Sequence, residues 1–355
     1  MDNLVEQRFG HGLIDRPEDA VDPAAFRSEE ILSSLAPANW VEKIPADFKS
    51  YPPVRNQAQS YACVAFSFSV EMMADELKEN GEVRIFSPRS LYALGALPGG
   101  GMNVQTAGDI LSSKGMTLDF LLPSDNLSEV AEKDLSDYKL DAEEVAKIYK
   151  TAGVVFAAID FETIASLIQT LGKPVGISIV GYNNYSWLSQ YPSPAVVGSP
   201  WYHRIEATDF GLINGKKYIS VQNSWGTSVG LNGIQFLDES YQPLIFQVSY
   251  TLNLPDNWED NTQTLPKPKY QWNTDLELGS QGQDVLELQQ ALQYLGMFPI
   301  SDIIKPTGLF GGITLRSVKL FQETFASEIL TPLNLTTPTG IVGEATRTKL
   351  NSLFA

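Results

Sequence analysis

The chain has 355 residues, 43% hydrophobic and 19% charged, which is enough apolar material for two or three domains and too little polarity for a disordered chain. Its 25 basic and 42 acidic residues leave a net charge of −17. That field repels both a phosphate backbone and an anionic bilayer, so no nucleic acid and no membrane is expected as a partner. One cysteine, Cys63, excludes an internal disulfide, and two histidines, His11 and His203, are too few ligands for a zinc site. No metal and no cofactor is expected, although an oxygen-ligated cation stays open on this count.

Residues 1–40 are acidic, interrupted by Pro17, Pro23 and Pro37, and carry little periodicity. They read as an arm that wraps a neighbouring core, with a removable pro-segment as the rival reading. Met1–Gly10 lacks the basic-then-apolar pattern of a signal peptide, and Gly153–Ile159 is far short of the roughly 18 apolar residues of a membrane helix. The expectation is a product made in the cytoplasm, without an export signal or a membrane span.

Residues 41–252 alternate helical and strand-like patterns. Phe66, Val70, Met73 and Leu77 fall on one helical stripe behind Cys63, and Asn80-Gly81 supplies a stop. Glu129 to Glu144 alternates charged and apolar residues and predicts a solvated helix in a surface excursion, with a partner-docking face as the less favoured reading. Trp201 to Gly211 reads as a strand carrying His203, and Lys217 to Gln222 as the next, delivering Asn223-Ser224-Trp225-Gly226. Residues 253–272, rich in Asn, Asp, Thr and Pro, form a linker with a reach of about 25 Å if flexible.

Residues 273–355 contain a repeat. Thr307-Gly-Leu-Phe-Gly-Gly-Ile-Thr314 is echoed by Thr339-Gly-Ile-Val-Gly-Glu-Ala-Thr346, and each copy precedes a short helical run. Val285, Leu288, Leu292 and Leu295 mark an upstream helix closed by Gly296. Gly308 and Gly340 supply turn geometry, and Gly311 and Gly343 stand just before the next helices. A bundle of three helices follows.

The chemistry gathers on Cys63. A thiol at a helix N-terminus feels the positive end of the macrodipole, which lowers its pKa. His203 lies 140 residues later and Asn223 another 20 on. A thiolate, an imidazole to carry the proton and an amide to orient it would make a nucleophilic triad. Taken singly, each has a plainer role: a lone cysteine as a small buried hydrophobe, a histidine that is structural, an asparagine in a turn.

Order and spacing resemble the papain-like cysteine peptidases over residues 44–252. Gln57 stands six positions before Cys63, Ala65-Phe66-Ser67 follows it, Ser87 to Tyr92 resembles the next helix, and Pro98 to Gly101 resembles the glycine loop bordering the cleft. Gly172 to Ser178, and above all Asn223-Ser-Trp-Gly226 with Gly230 and Asn232-Gly233, complete the likeness. The resemblance implies an α+β fold of two lobes, helical on the left and β-barrel-like on the right. It makes Cys63 the nucleophile, His203 the general base and then acid, Asn223 the orienting amide and Trp225 its shield from water. Gln57 and the Cys63 N–H would hold the oxyanion, while Gly99, Gly100, Gly101, Tyr61 and Trp225 would border the substrate. The chain departs from that pattern at Tyr61, at Val64 (usually tryptophan), at Leu121-Leu-Pro123 and at Arg204 (usually small); Ala58 and Ser60 stand where a left-lobe disulfide would begin.

Residues 273–355 resemble the peptidoglycan-binding domain of bacterial and phage cell-wall enzymes, through Leu278 to Val285, Leu288-Gln289, Thr307 to Gly311, Phe321-Gln322 and Thr339 to Gly343. The segment Thr324 to Pro338 is longer and more apolar than usual there. Docking to another protein is the rival use of this bundle. Together the two resemblances imply a thiol peptidase held at the bacterial cell wall, acting on peptide or peptidoglycan, and a phage lysin or virion-associated protein. The alternative is an inactive structural or adhesive virion component that uses the fold as a scaffold and docks to wall or virion subunits.

Overall fold

A computed structural model describes residues 12–15, residues 35–253 apart from 82, 139, 183 and 184, and residues 266–355 apart from 296 and 299–304. Most of the expected arm, nearly all of the linker before residue 266, and Gly296 lie outside the described residues. Those described fall into two compact units, one comprising residues 12–15 and 36–253, the other residue 35 and the chain from 266 to the C-terminus.

Helix α1 (Cys63–Asn80) follows the predicted stripe and ends at Gly81, whose φ of 70° is open to glycine at little cost and whose N–H closes on Leu77 O. It is more deeply buried than a one-sided stripe requires, because Ser67, Glu71 and Asp75 on its other face are buried as well. Helix α2 (Pro88–Gly95) is capped by Ser87 with Pro88 at its first position, and α3 (Val104–Ser113) is capped by Asn103.

The predicted solvated helix over 129–144 is instead two short helices, α4 (Glu129–Glu132) and α5 (Leu140–Ile148). The acids of α4 turn inward rather than to solvent. Glu132 is fully buried with both carboxyl oxygens on Ser124 Oγ, and burial pushes its pKa up to about 8. A raised carboxyl pKa gives stability that is complete below about pH 4.5 and is lost as pH rises through about 8. Glu132→Gln is therefore expected to flatten the fall in thermal stability between pH 5 and pH 8, an effect on the order of 3 kcal/mol. A melting series with the same slope in both proteins would contradict this.

The second lobe is a six-stranded antiparallel sheet in the order β1-β6-β2-β3-β4-β5. Its strands are β1 (Thr151–Ala157), β2 (Val175–Gly181), β3 (Trp201–Ile213), β4 (Lys216–Gln222), β5 (Ile234–Asp238) and β6 (Ile245–Asn253). Helix α6 (Phe161–Leu171) joins β1 to β2 and packs on β2 and β3, while α1 packs on β2, β3 and β6. Covered by these helices, β2 is buried at every position; its one polar side chain, Ser178, is satisfied by donating to Gln247 Oε1 at 2.9 Å.

The smaller unit has three main helices, α7 (Gln283–Tyr294), α8 (Gly312–Thr324) and α10 (Glu344–Phe354), with a single helical turn α9 (Ala326–Ile329) in the long insert. The sequence repeat is a repeated clamp. Gln289 accepts from the N–H groups of Thr307 and Gly308 and donates to Leu309 O and Thr314 Oγ1; Gln322 accepts from Gly340 N–H and donates to Ile341 O and Thr346 Oγ1. Gly308 and Gly340 share a φ of 77°, the same left-handed turn in both copies.

Candidate active site

Cys63 is the first residue of α1 and is fully buried. Burial pushes its thiol up to about 11, against the downward pull of the N–H groups of Arg204, Gly12 and Val64 and of the Arg204 charge. The helix terminus is where the sequence placed it, but here desolvation outweighs the dipole. One of the groups that reach the thiol, the Gly12 N–H, comes from the N-terminal segment. Gly12 O accepts from Met102 N–H at 2.9 Å, Ile14 N–H donates to Met102 O at 3.3 Å, and Leu13 bridges Met102. Asp15 anchors the far end by accepting from Asn103 Nδ2 and from Val104 N–H at 3.0 Å. Added at Gly12, a Cβ would lie 1.6 Å from Tyr61 O, so only glycine fits between the nucleophile loop and Met102.

His203 is the third residue of β3, and its Nε2 lies 2.9 Å from Asn223 Oδ1. The amide chain behind this pair fixes its direction. Trp187 O, which can only accept, takes Gln235 Nε2 at 2.6 Å; Gln235 Oε1 then takes Asn223 Nδ2 at 2.9 Å. Asn223 therefore presents its carbonyl oxygen, which also accepts Ser224 N–H, and His203 Nε2 must carry the proton. The basic nitrogen of the neutral ring is thus Nδ1. Trp225 stacks on the imidazole with centroids 4.7 Å apart at 24° and is wholly buried, covering the pair. Burial pushes His203 down to about 4, against the Asn223 hydrogen bond that raises it. In this covered state the thiol and the imidazole are both neutral at pH 7.

The loop before Cys63 is joined to the segment after β4. Gln57 N–H donates to Ser224 O at 2.8 Å, Gly226 N–H to Arg55 O at 3.0 Å, and Asn56 bridges Trp225. The Gln57 side chain accepts from Ser224 Oγ and donates to Ser60 O at 2.7 Å, which turns its amide toward the turn leading into Cys63. The structure thus brings Gln57, Cys63, His203, Asn223 and Trp225 together. Val64, where a tryptophan was expected by resemblance, is buried. Tyr61 lies half-exposed against Gly100, and Gly101 lies against Gly12 and Ile14. Gly99 is set apart: it is exposed, and a Cβ there would meet nothing within 4 Å. Sequence reasoning missed Gln235, which stands in no local pattern that would single it out, and it gave no role to Ser224, which lies within the Asn223-Ser-Trp-Gly226 motif and ties Asn223 to Gln57.

Residues 281–350 match the family model described as "Putative peptidoglycan binding domain". No curated protein matches the chain at a significant level. Among solved structures the chain is similar to xylellain, a cysteine protease from Xylella fastidiosa, at 16% identity and a TM-score of 0.53, over 70% of this chain and 97% of that one. It is likewise similar to proCathepsin B S9 from Trypanosoma congolense, at 14% identity and a TM-score of 0.55, over 71% of this chain and 88% of that one. The chain therefore combines a papain-like cysteine protease fold with a C-terminal peptidoglycan-binding domain.

Proposed function

We propose that the protein is a thiol peptidase that hydrolyses peptide bonds through Cys63, His203 and Asn223 at the bacterial cell wall. The observation that carries this reading is the amide chain from Trp187 O to His203, which leaves Nδ1 basic on a strand whose next residue, Arg204, places its N–H on the Cys63 sulfur. His203 takes the thiol proton, the thiolate adds to the scissile carbonyl, and the Cys63 N–H and the Gln57 amide hold the oxyanion. The imidazolium then protonates the leaving amine, and water resolves the thioester with His203 again as base. The domains we assign are an arm over 1–40, the peptidase over 41–252, a linker over 253–272 and a wall-binding bundle over 273–355. Tethering by the bundle raises the substrate concentration at the site without altering the site itself. The substrate class is the peptide of cell-wall protein or of peptidoglycan stems and bridges, and the biological setting we favour is a phage lysin or a virion-associated protein.

The test is hydrolysis of a casein or stem-peptide substrate together with sedimentation on purified sacculi. Cys63→Ala and His203→Ala are expected to abolish turnover, and Gln57→Ala to lower kcat by about 10²–10³. Residues 273–355 should carry the protein down with sacculi. A chain that stays in the supernatant removes the wall from this reading. A second reading, an inactive scaffold or adhesive virion component docking to virion subunits, is favoured by the complete burial of Cys63 and its raised pKa. Under that reading no release of the N-terminal segment brings turnover.

A further inference from the structure

We infer that Glu129 is a positioning residue that holds the substrate-binding edge at Gly101–Met102 in register with the Cys63 loop, an inference that rests on the peptidase reading above. The edge is defined by use: Met102 N–H and C=O already pair with an extended segment, residues 12–14, passing the nucleophile. A peptide substrate lying in the groove would use those same main-chain groups. The edge and the loop before Cys63 are separate pieces of chain with no covalent tie, since Cys63 is the only cysteine. Glu129 spans the gap. Its Oε2 accepts from Tyr61 N–H at 2.8 Å, two residues before the nucleophile, and its Oε1 accepts from Tyr92 Oη at 2.8 Å. Tyr92 Oη in turn accepts from Gly101 N–H at 2.7 Å.

Lys133, one turn on, completes the brace. Its Nζ pairs with Glu129 at 2.9 Å and donates to Leu97 O at 2.8 Å and Pro98 O at 3.2 Å, gripping the start of the loop that ends in Gly101. Contact is close enough that a Cβ on Gly100 would lie 2.5 Å from the Tyr61 ring and 3.0 Å from Glu129 Oε1. Tyr92 is buried, and burial together with Glu129 holds its phenol well above the ordinary range, so it remains a donor to the carboxylate. Glu129 thus acts on the groove, where the sequence pattern alone suggested a solvated face.

The test uses the full chain carrying Glu129→Gln and, separately, Tyr92→Phe, with steady-state hydrolysis of an extended peptide and alkylation of Cys63 by chloroacetamide. Each variant is expected to raise KM at least 10-fold with kcat within about 3-fold, and not to slow alkylation, because a small electrophile does not use the edge and a looser Met102 only eases the segment that pairs with it. The double variant should be no worse than the more affected single one, since both cut one path. Unchanged KM overturns the inference, and so does a fall in kcat and alkylation at constant KM, which would place Glu129 on the nucleophile. A lowered melting temperature with wild-type KM reduces it to fold support and also overturns it. If the wild-type chain itself shows no turnover, the peptidase reading fails. Glu129 is then still decided by hydrogen exchange: faster exchange of Gly101 and Met102 amides in Glu129→Gln supports the brace, and unchanged exchange defeats it.

Discussion

Replacing Gly12 by valine is expected to raise the alkylation rate of Cys63 at pH 7 by at least 10-fold and to raise peptide hydrolysis in step. Any Cβ at this position meets Tyr61 O at 1.6 Å, and the clash involves backbone on both sides. The Tyr61 loop is held by Glu129 and leads directly into α1, whereas residues 12–15 hold on through a few hydrogen bonds to Met102, Asn103 and Val104. The segment should therefore leave first. Its departure opens one side of a thiol that burial pushes up to about 11, a value at which only about 10⁻⁴ of it is ionised at pH 7. Uncovered, the thiol regains water, the helix terminus and a solvated His203, all of which favour the thiolate. The pH–rate profile should move down by two units or more. Asp15→Ala, which frees the far end of the segment, should shift alkylation in the same direction by less. A chain beginning at Ala36 should match Gly12→Val. Alkylation that stays slow and follows a pKa near 11 in all three would show that the fold, not the segment, buries the thiol. The scaffold reading would then gain.

The sequence made legible what is written locally. The stripe from Phe66 to Leu77 with Gly81 defined α1, and the strand-like patterns of Trp201–Gly211 and Lys217–Gln222 lie within β3 and β4; His203 and Asn223, picked out by spacing, stand 2.9 Å apart, with Arg204 N–H at Cys63. What escaped depends on partners far along the chain. Cys63 was expected to have a lowered pKa from its helix position, but burial outweighs the helix terminus, and the N–H groups that reach the sulfur include Gly12, 51 residues upstream, and Arg204, 141 residues downstream. Gln235 matters because it meets Trp187 O, 48 residues before it, and a lone glutamine in an apolar strand gives no hint of that. Glu129 and Glu132 read as solvent-facing because alternation of charged and apolar residues cannot say which charges meet Tyr61, Tyr92 or Ser124. The register of a short helix against a distant loop is a tertiary fact.

Arg204→Met is expected to destabilise the protein by about 3–5 kcal/mol, the cost of stranding a buried charge. By resemblance a small residue belongs beside His203, and the structure shows what the large one does. Arg204 and Glu71 are both wholly buried, with Nη2 3.1 Å from Glu71 Oε1 and Nε donating to Ser67 Oγ at 2.8 Å; the guanidinium lies 4.8 Å from the centre of the Phe68 ring. Room for it comes from Gly176 on β2, where a Cβ would lie 1.8 Å from Nη2. Glu71 Oε2 accepts from Thr251 N–H, and Lys173 joins Asp75 and Thr251, so α1, β3 and β6 meet in one polar core. Three carboxyls (Glu71, Asp75, Glu206) face two cations there. Burial, then Glu71, hold Glu206 well above the ordinary carboxylate range, and burial raises Glu71 and Asp75 as well, against the pull of Arg204 and Lys173. Removing Arg204 leaves Glu71 without its cation, whereas Arg204→Met with Glu71→Met removes both charges from a site that methionine can fill. The double variant should therefore cost less than the sum of the two singles by at least about 1 kcal/mol in urea unfolding. Strict additivity, or a single cost below about 1 kcal/mol, would defeat the argument. The same core sets β3 against α1, and with them His203 against Cys63, so Arg204→Met should also lower kcat in the fraction that remains folded.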